Sequence, residues 1–310
     1  MLPSAVMRVL VTGANGSLGR ALFEQIEQPA RFRAGVRSER AAEQIAALPE
    51  AARPETVRVD YTDTPSLPAA ARGCDAIVHL VGIIKESSNT RYAEAHEESC
   101  THLARAASDA GVKRIVYLSI VGSDPASRNT CLASRGRAER ILLEGTTPTT
   151  ILRVPMVLGH GDPATLALFR QGQAKQLRLV DGGRTLQQPI DARDVIRAID
   201  AATREDRVES DTLELAGPES LPHKDLIARA AAVLGNPPPA IGSIPLIAAK
   251  LFAGIAQRVL SDPPVTGPML GVLQHDDDVI TTATCDRLQI TLTPLDKTLG
   301  HYFAALQESP

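Results

Sequence analysis

Apolar and polar positions follow two alternating rhythms through the first half of the chain. Short runs of branched and apolar residues at 7–11, 32–37, 56–60, 75–81, 112–118 and 149–154 read as buried strands. Between them, apolar residues recur at three- and four-residue spacing, which predicts helices over 18–28, 38–48, 91–110 and 132–144. In the longest of these, Tyr92, His96, Ser99, Leu103 and Ala107 share one face. Such alternation through residue 155 predicts an α/β fold, with a doubly wound parallel sheet covered by helices on both sides.

Beyond Pro155 the rhythm loosens. Helical stretches at 164–173, 192–203, 223–235 and 244–260 are separated by loops and one strand at 212–216. Asn236-Pro237-Pro238-Pro239 is a stiff connector, because consecutive prolines fit neither a helix interior nor a central strand. The expected organisation is a sheet domain over 1–155, with 185–205 packing back on it, and a smaller mixed lobe over 156–310.

Composition narrows the function. The chain is 310 residues long, 44% hydrophobic and 22% charged, with a net charge of −3, which gives no electrostatic reason to expect nucleic acid. Cys74, Cys100, Cys131 and Cys285 are widely spaced, which argues for free thiols. No long uncharged apolar run and no leader pattern is evident, so a cytoplasmic location is expected.

The candidate chemistry starts directly after the first strand. Thr12-Gly13-Ala14-Asn15-Gly16-Ser17-Leu18-Gly19 sets glycines at i, i+3 and i+6 between a strand and a helix. The first permits a tight turn, the second lets backbone approach a pyrophosphate, and the third lets helix and strand pack closely. The helix N-terminus then offers free N–H groups to phosphate. At the end of the second strand stands Arg37-Ser38, with no acid before Glu39. An acid there would bind the ribose 2′-hydroxyl of NAD, whereas an arginine accommodates a 2′-phosphate, so NADP(H) is favoured over NAD(H).

With these residues stand Val59-Asp60-Tyr61-Thr62-Asp63, His79-Leu80-Val81-Gly82, Leu152-Arg153-Val154-Pro155, Pro189-Ile190-Asp191-Ala192-Arg193-Asp194-Val195 and Leu215-Ala216-Gly217-Pro218-Glu219. Together they resemble the atypical short-chain dehydrogenase/reductases, which are NAD(P)-binding Rossmann proteins. Val81-Gly82-Ile83, the Tyr92…His96 helix and Pro263-Pro264-Val265-Thr266 with the acids near Asp278 narrow the likeness. They resemble the group related to the 39-kDa accessory subunit of respiratory complex I and NmrA-like proteins. The resemblance implies that Asp60 and Tyr61 edge the adenine pocket and that Leu80, Val81, Gly82, Ser119 and Pro155 line the cofactor.

The same resemblance exposes a departure. Dehydrogenases of this superfamily carry Tyr-x-x-x-Lys on one helical face, the lysine lowering the phenol pKa and holding the nicotinamide ribose. Here the aligned residues are Cys131 and Arg135. Arg135 stays charged, retains the means to bind ribose and could push the Cys131 thiol toward thiolate, but a thiolate donates no proton. Cys131 therefore reads either as a small pocket-lining thiol or as a reactive group. Ser119 or Ser123 could stand for the missing serine, and Lys85 or His96 for the proton donor.

Weaker candidates remain. His275-Asp276-Asp277-Asp278 reads as a solvated, capping or partner-facing turn rather than a metal site, because consecutive residues do not converge on one ion. His160 sits in a loop placed near the nicotinamide by the resemblance. The 244–260 helix carries Leu246, Ile247, Leu251, Phe252, Ile255 and Val259 opposite Lys250, Gln257 and Arg258, and is expected to pack on the sheet domain. The alternative is a face for a membrane surface or protein partner, which would place the chain at a membrane periphery.

Three functions follow. The first is an NADP(H)-binding protein whose cofactor is structural, regulatory or used in altered redox chemistry. The second is an active NADPH-dependent reductase or epimerase of a small carbonyl or quinone-like substrate. The third is an accessory or assembly protein of a respiratory complex.

Overall fold

The computed structural model describes residues 7–26, 28–61, 65–87, 89–204, 209–260 and 263–308. In chain order its strands are β1 Val9–Thr12, β2 Phe32–Val36, β3 Glu55–Arg58, β4 Ala76–His79, β5 Arg114–Ile120, β6 Thr149–Val154, β7 Val157–Leu158, β8 Gln176–Val180, β9 Leu186–Gln187, β10 Ile190–Asp191, β11 Asp211–Glu214, β12 Leu221–Pro222 and β13 Ala240–Ile244. The helices are α1 Ser17–Gln25, α2 Glu39–Ala46, α3 Ser66–Ala71, α4 Ser99–Ala110, α5 Thr130–Leu143, α6 Pro163–Gln173, α7 Ala192–Arg204, α8 His223–Val233, α9 Leu246–Val259, α10 Gly267–Leu273, α11 Thr282–Leu288 and α12 Leu295–Glu308.

The central sheet runs β11-β6-β5-β4-β1-β2-β3, with every pair parallel. Strands β1 and β4 are buried along their whole length, as continuous apolar runs covered on both faces must be. One apolar cluster joins Val9, Val11, Phe23, Val78 and Ile199 on one side of the sheet. Another joins Leu10, Ile77, Leu103, Ile115 and Leu142 on the other. The order reverses between β1 and β4, and in open parallel sheets the crevice beyond that reversal is where ligands bind.

A third cluster, with Leu158, Leu168, Leu226, Leu299, Tyr302 and Phe303, gathers α6, α8 and α12 beside the carboxyl ends of the strands. It is fastened through Asp191, which ends β10, leads directly into α7 and is 2% exposed. Thr298 Oγ1 and Tyr302 OH each donate to its carboxylate at 2.9 Å, and Arg193 pairs with it at 2.6 Å. The second half also supplies β11 to the main sheet and α7 to the layer beside α1.

Two expectations about single elements change. Residues 93–98 form a π-helical turn ahead of α4 rather than a first turn of α-helix. The turn at 275–278 leaves Asp276 and Asp278 exposed but also acts as a fastener, with Asp277 buried. Asp276 accepts from Leu186 N–H at 2.7 Å, Leu186 O accepts from Asp277 N–H, and Ser220 Oγ donates to Asp277 O at 2.6 Å. Its His275 ring lies against Gly122, whose φ of +79° and missing side chain make the room.

Candidate functional site

The glycine-rich loop has the geometry its spacing demands. Gly13 turns at φ +73°, and a Cβ there would stand 2.9 Å from the Leu80 carbonyl carbon, so the turn lies tight against the end of β4. A Cβ on Gly19 would collide with the Ala14 carbonyl, so the third glycine closes helix onto turn. A Cβ on Gly16 would meet only the Gly13 carbonyl, at 3.3 Å, which leaves the middle of the loop open to a phosphate. Gly16 is also the N-cap of α1 and supplies no side-chain acceptor, so the first N–H groups of α1 stay available to an anion. In contrast, Ser38, Asn129 and Asp162 cap α2, α5 and α6 with their side chains.

Beyond this loop opens a cavity of about 310 Å³ lined by Ser17, Leu18, Leu80, Ser119, Arg135 and Pro155, with Ile84, Val157, His160 and Asp162 on its far wall. Ser119 Oγ sits 3.2 Å from Ser123 Oγ, and Ser123 donates to Ile120 O, so one hydroxyl faces the cleft and the other braces it. Arg135 is 7% exposed. Its Nη1 donates to Tyr117 OH at 2.9 Å and to Leu118 O at 3.1 Å, while its Nε is buried without a partner. Among the described residues no carboxylate pairs with it. A side chain at Gly82 would overlap this guanidinium, so Gly82 is what lets Arg135 lie across the end of β4.

Cys131 does not behave as its neighbour suggested. It is fully buried, outside the cavity, with Sγ donating to Ile83 O at 3.6 Å. Burial pushes its thiol pKa up and outweighs the guanidinium of Arg135, so the expected drift toward thiolate does not occur.

The two substitute proton donors also move elsewhere. Lys85 Nζ donates to Pro263 O at 3.1 Å. His96 is buried, and burial followed by Arg135 pushes its pKa down to about 2, so its ring is neutral. We assign its proton to Nδ1, because Nε2 then accepts from Ile83 N–H at 3.1 Å while Nδ1–H faces Ser134 Oγ at 3.3 Å. Ser134 donates onward to Glu97 at 2.7 Å, and Arg137 holds Glu97. His79, also buried, has Nδ1 2.6 Å from Thr12 Oγ1 and stacks on Tyr117, with burial driving its pKa down to about 3.

At the end of β2, Arg37 is exposed and forms no ion pair among the described residues, while Glu39 is drawn to Arg58 at 3.7 Å. The Ser38 hydroxyl accepts from Ala41 N–H. Tyr61 packs edge-on against His79, and Asp60 is tied through its backbone to Ser66; Thr62 and Asp63 lie outside the described residues. Asn15 turns away from the loop to donate to Gln44 Oε1 at 3.0 Å, so its side chain braces α2.

Asp162 was not among the expected site residues. Its carboxylate caps α6 and accepts from Ser17 Oγ at 3.2 Å, which ties the far wall to the first turn of α1. Burial raises its pKa. The available signal was Asp162 before Pro163, an N-cap followed by a first-turn proline. Among the described residues no group of three His, Cys, Asp or Glu side chains gathers to hold a metal ion.

Comparison with known proteins gives the site its context. The profile described as NAD(P)H-binding matches residues 13–202. The NADH-ubiquinone oxidoreductase 40 kDa subunit, mitochondrial, of Neurospora crassa is 24% identical over 68% of this chain and 56% of its own length. The NADH dehydrogenase [ubiquinone] 1 alpha subcomplex subunit 9, mitochondrial, of Arabidopsis thaliana is 27% identical over 70% of this chain and 56% of its own. The chain thus spans little more than half the length of those two relatives. Among solved structures, gox2253 superposes with a TM-score of 0.76 at 20% identity, covering 97% of this chain and 98% of that one.

Proposed function

Because the chain belongs to the NAD(P)H-binding family of atypical short-chain dehydrogenase/reductases, we propose that it holds NADP(H) as a structural or regulatory group rather than as the reagent of ordinary carbonyl reduction. The observation that carries this reading is the pairing of Arg135 with Cys131. Arg135 brings a buried cation, without a carboxylate partner among the described residues, to the cleft wall, where a ribose or phosphate oxygen would answer its charge and its unpartnered Nε–H. Cys131, in the proton donor's place, keeps its proton and donates a hydrogen bond with it to the Ile83 carbonyl. A nicotinamide dinucleotide supplies hydride transfer when bound. This chain offers Gly16 and the α1 amides to its pyrophosphate, Arg135 and Ser119 to its nicotinamide half, and Arg37 to a 2′-phosphate. Residues 1–155, with 185–205 and strand β11, would form the binding domain and the rest of 156–310 the lobe beside it.

Titration of nucleotide-free protein with NADPH and NADH, read by the fluorescence of the reduced nicotinamide, tests the proposal. The chain has no tryptophan to obscure that signal. Tight NADPH binding, reversed in preference by Arg37→Asp, with NADPH left unoxidised by carbonyl and quinone panels, is expected. Equal affinity for both nucleotides would remove the role of Arg37. Rapid oxidation would favour the active reductase or epimerase instead.

A second reading, an accessory chain of a respiratory assembly, rests on the two complex I subunits among the relatives. It is compatible with the first, since a ligand bound only by the folded form stabilises that form.

A further inference from the structure

Helix α9 is built inside out. Toward the body of the protein it turns Ala253 and Ala256, both buried. Outward it turns Ile247, Leu251, Phe252, Ile255 and Val259, which are 82, 66, 63, 52 and 76% exposed. At the helical pitch these five fall within an arc of about 140°. The expectation that this helix buries its large residues against the sheet domain is therefore wrong. A contiguous apolar helix face left in water marks an interaction surface.

Charge selects what covers it. Residues 163–180 and 226–261 contain Arg170, Lys175, Arg178, Arg229, Lys250 and Arg258 and not one Asp or Glu, in a chain whose net charge is −3. The two segments are neighbours in space: β8 pairs along its length with β13, which leads through Pro245 into α9, and α6 packs on α8. Arg229 is neutralised by Glu219 and Asp296. Lys175, Arg178 and Lys250 form no ion pair among the described residues; the side chain of Arg258 lies outside them. A second copy seated on this face would set α9 against α9 and bring Lys250 toward its counterpart, while the carboxylate at this helix, Asp181, is engaged at its first turn by Leu246 N–H. An anionic bilayer meets both demands, taking the aliphatic face into its acyl boundary and the cations among its headgroups.

We propose that α9 lies in the plane of an anionic membrane surface and docks the protein there. Its length of about 21 Å fits an interfacial helix and is too short to span a bilayer. No helix among the described residues is long and apolar enough to cross a membrane.

Flotation of the purified full chain with extruded vesicles tests this docking without reference to nucleotide. Vesicles of phosphatidylcholine with roughly a third phosphatidylglycerol should carry the protein upward. Pure phosphatidylcholine, or raised salt, should weaken partitioning at least tenfold. Leu251→Glu and Phe252→Glu should each lose at least tenfold in partitioning while melting at the wild-type temperature, and Lys250→Glu should lose less. Wild-type protein that stays in the buffer with anionic vesicles overturns the proposal, as does partitioning indifferent to Leu251→Glu and Phe252→Glu. A dimer by light scattering that those substitutions split, without vesicle binding, would assign the face to a second copy instead.

Discussion

At Gly82 the absence of one methyl group decides whether Arg135 reaches the cleft. The Cβ of Gly82→Ala would occupy the space of the guanidinium, so the flexible Arg135 side chain must swing aside and give up its present approach between Tyr117 OH, Leu118 O and the cleft. Losing one charge-assisted contact to the nucleotide corresponds to about a tenfold weaker NADPH affinity. Titration of the folded variant reads this directly, and an unchanged affinity would remove Arg135 from the nucleotide site. Cysteine reactivity is a second residue-scale consequence. Cys74, Cys100 and Cys131 are buried with thiol pKa values pushed up by burial, and Cys285 alone is partly exposed. A thiol-reactive chromophore at neutral pH should label at most Cys285 in native protein and all four thiols after denaturation. Prompt labelling of Cys131 in the native state would revive it as a redox group. The sequence showed that residues 131 and 135 share a helical face, because that follows from pitch alone. It did not show which would face the cleft, because that depends on the 80–84 segment crossing above them.

The elements that frame the site carry two further consequences, one for pH and one for affinity. His79 ends β4 and His96 sits in the π-helical turn, and both are held neutral by burial, with pKa values near 3 and 2 against an ordinary 6.5. Below pH 6.5 the unfolded chain binds protons that the native state refuses, so stability falls as pH falls, by up to about 1.4 kcal/mol per unit for each histidine. Thermal melts should drop steadily from pH 6.5 toward pH 4, and a flat melting temperature over that range would mean the rings are not held neutral. The loop from β7 into α6 places the Asp162 carboxylate on Ser17, where the pyrophosphate would approach α1. Asp162→Asn keeps an acceptor for the α6 cap while removing the like charge, so NADPH affinity should rise severalfold; weaker binding would show that the Ser17 contact assists the nucleotide instead. The main-sheet strands were legible because their periodicity is local. Strands β7, β9, β10 and β12 were not, since each is two residues long and exists only through its partner.

Over the whole molecule, the second half enters the sheet's own apolar core through Val195, Ile199 and Leu213, and buried polar groups at Asp191 tie the cluster around α12 to it. Sequence order brought Asp191 to the start of a helix but gave no sign that Thr298 and Tyr302, more than a hundred residues later, would reach it. Long-range polar pairing has no period to read, although α12 itself had one, since Leu295, Thr298, Leu299, Tyr302 and Phe303 recur at helical spacing and were passed over. Burial opposes ionisation of Asp191, but the hydrogen bonds from Arg193, Thr298 and Tyr302 prevail and hold its carboxyl below the ordinary carboxylate range. A lowered carboxylate pKa means stability that is present above the unfolded value near 3.9 and lost as pH falls through the folded one, so this joint is intact at neutral pH. Tyr302→Phe removes one of its donors and leaves a buried charge short of a partner, with the ring packing unchanged. The expected cost is about 1–3 kcal/mol, read as a lower urea midpoint at an unaltered slope. If the slope falls as well, the cluster around α12 has separated from the sheet and unfolds on its own. If the midpoint does not move, Thr298 and Arg193 suffice to hold Asp191, and the phenol serves only as packing beneath His160.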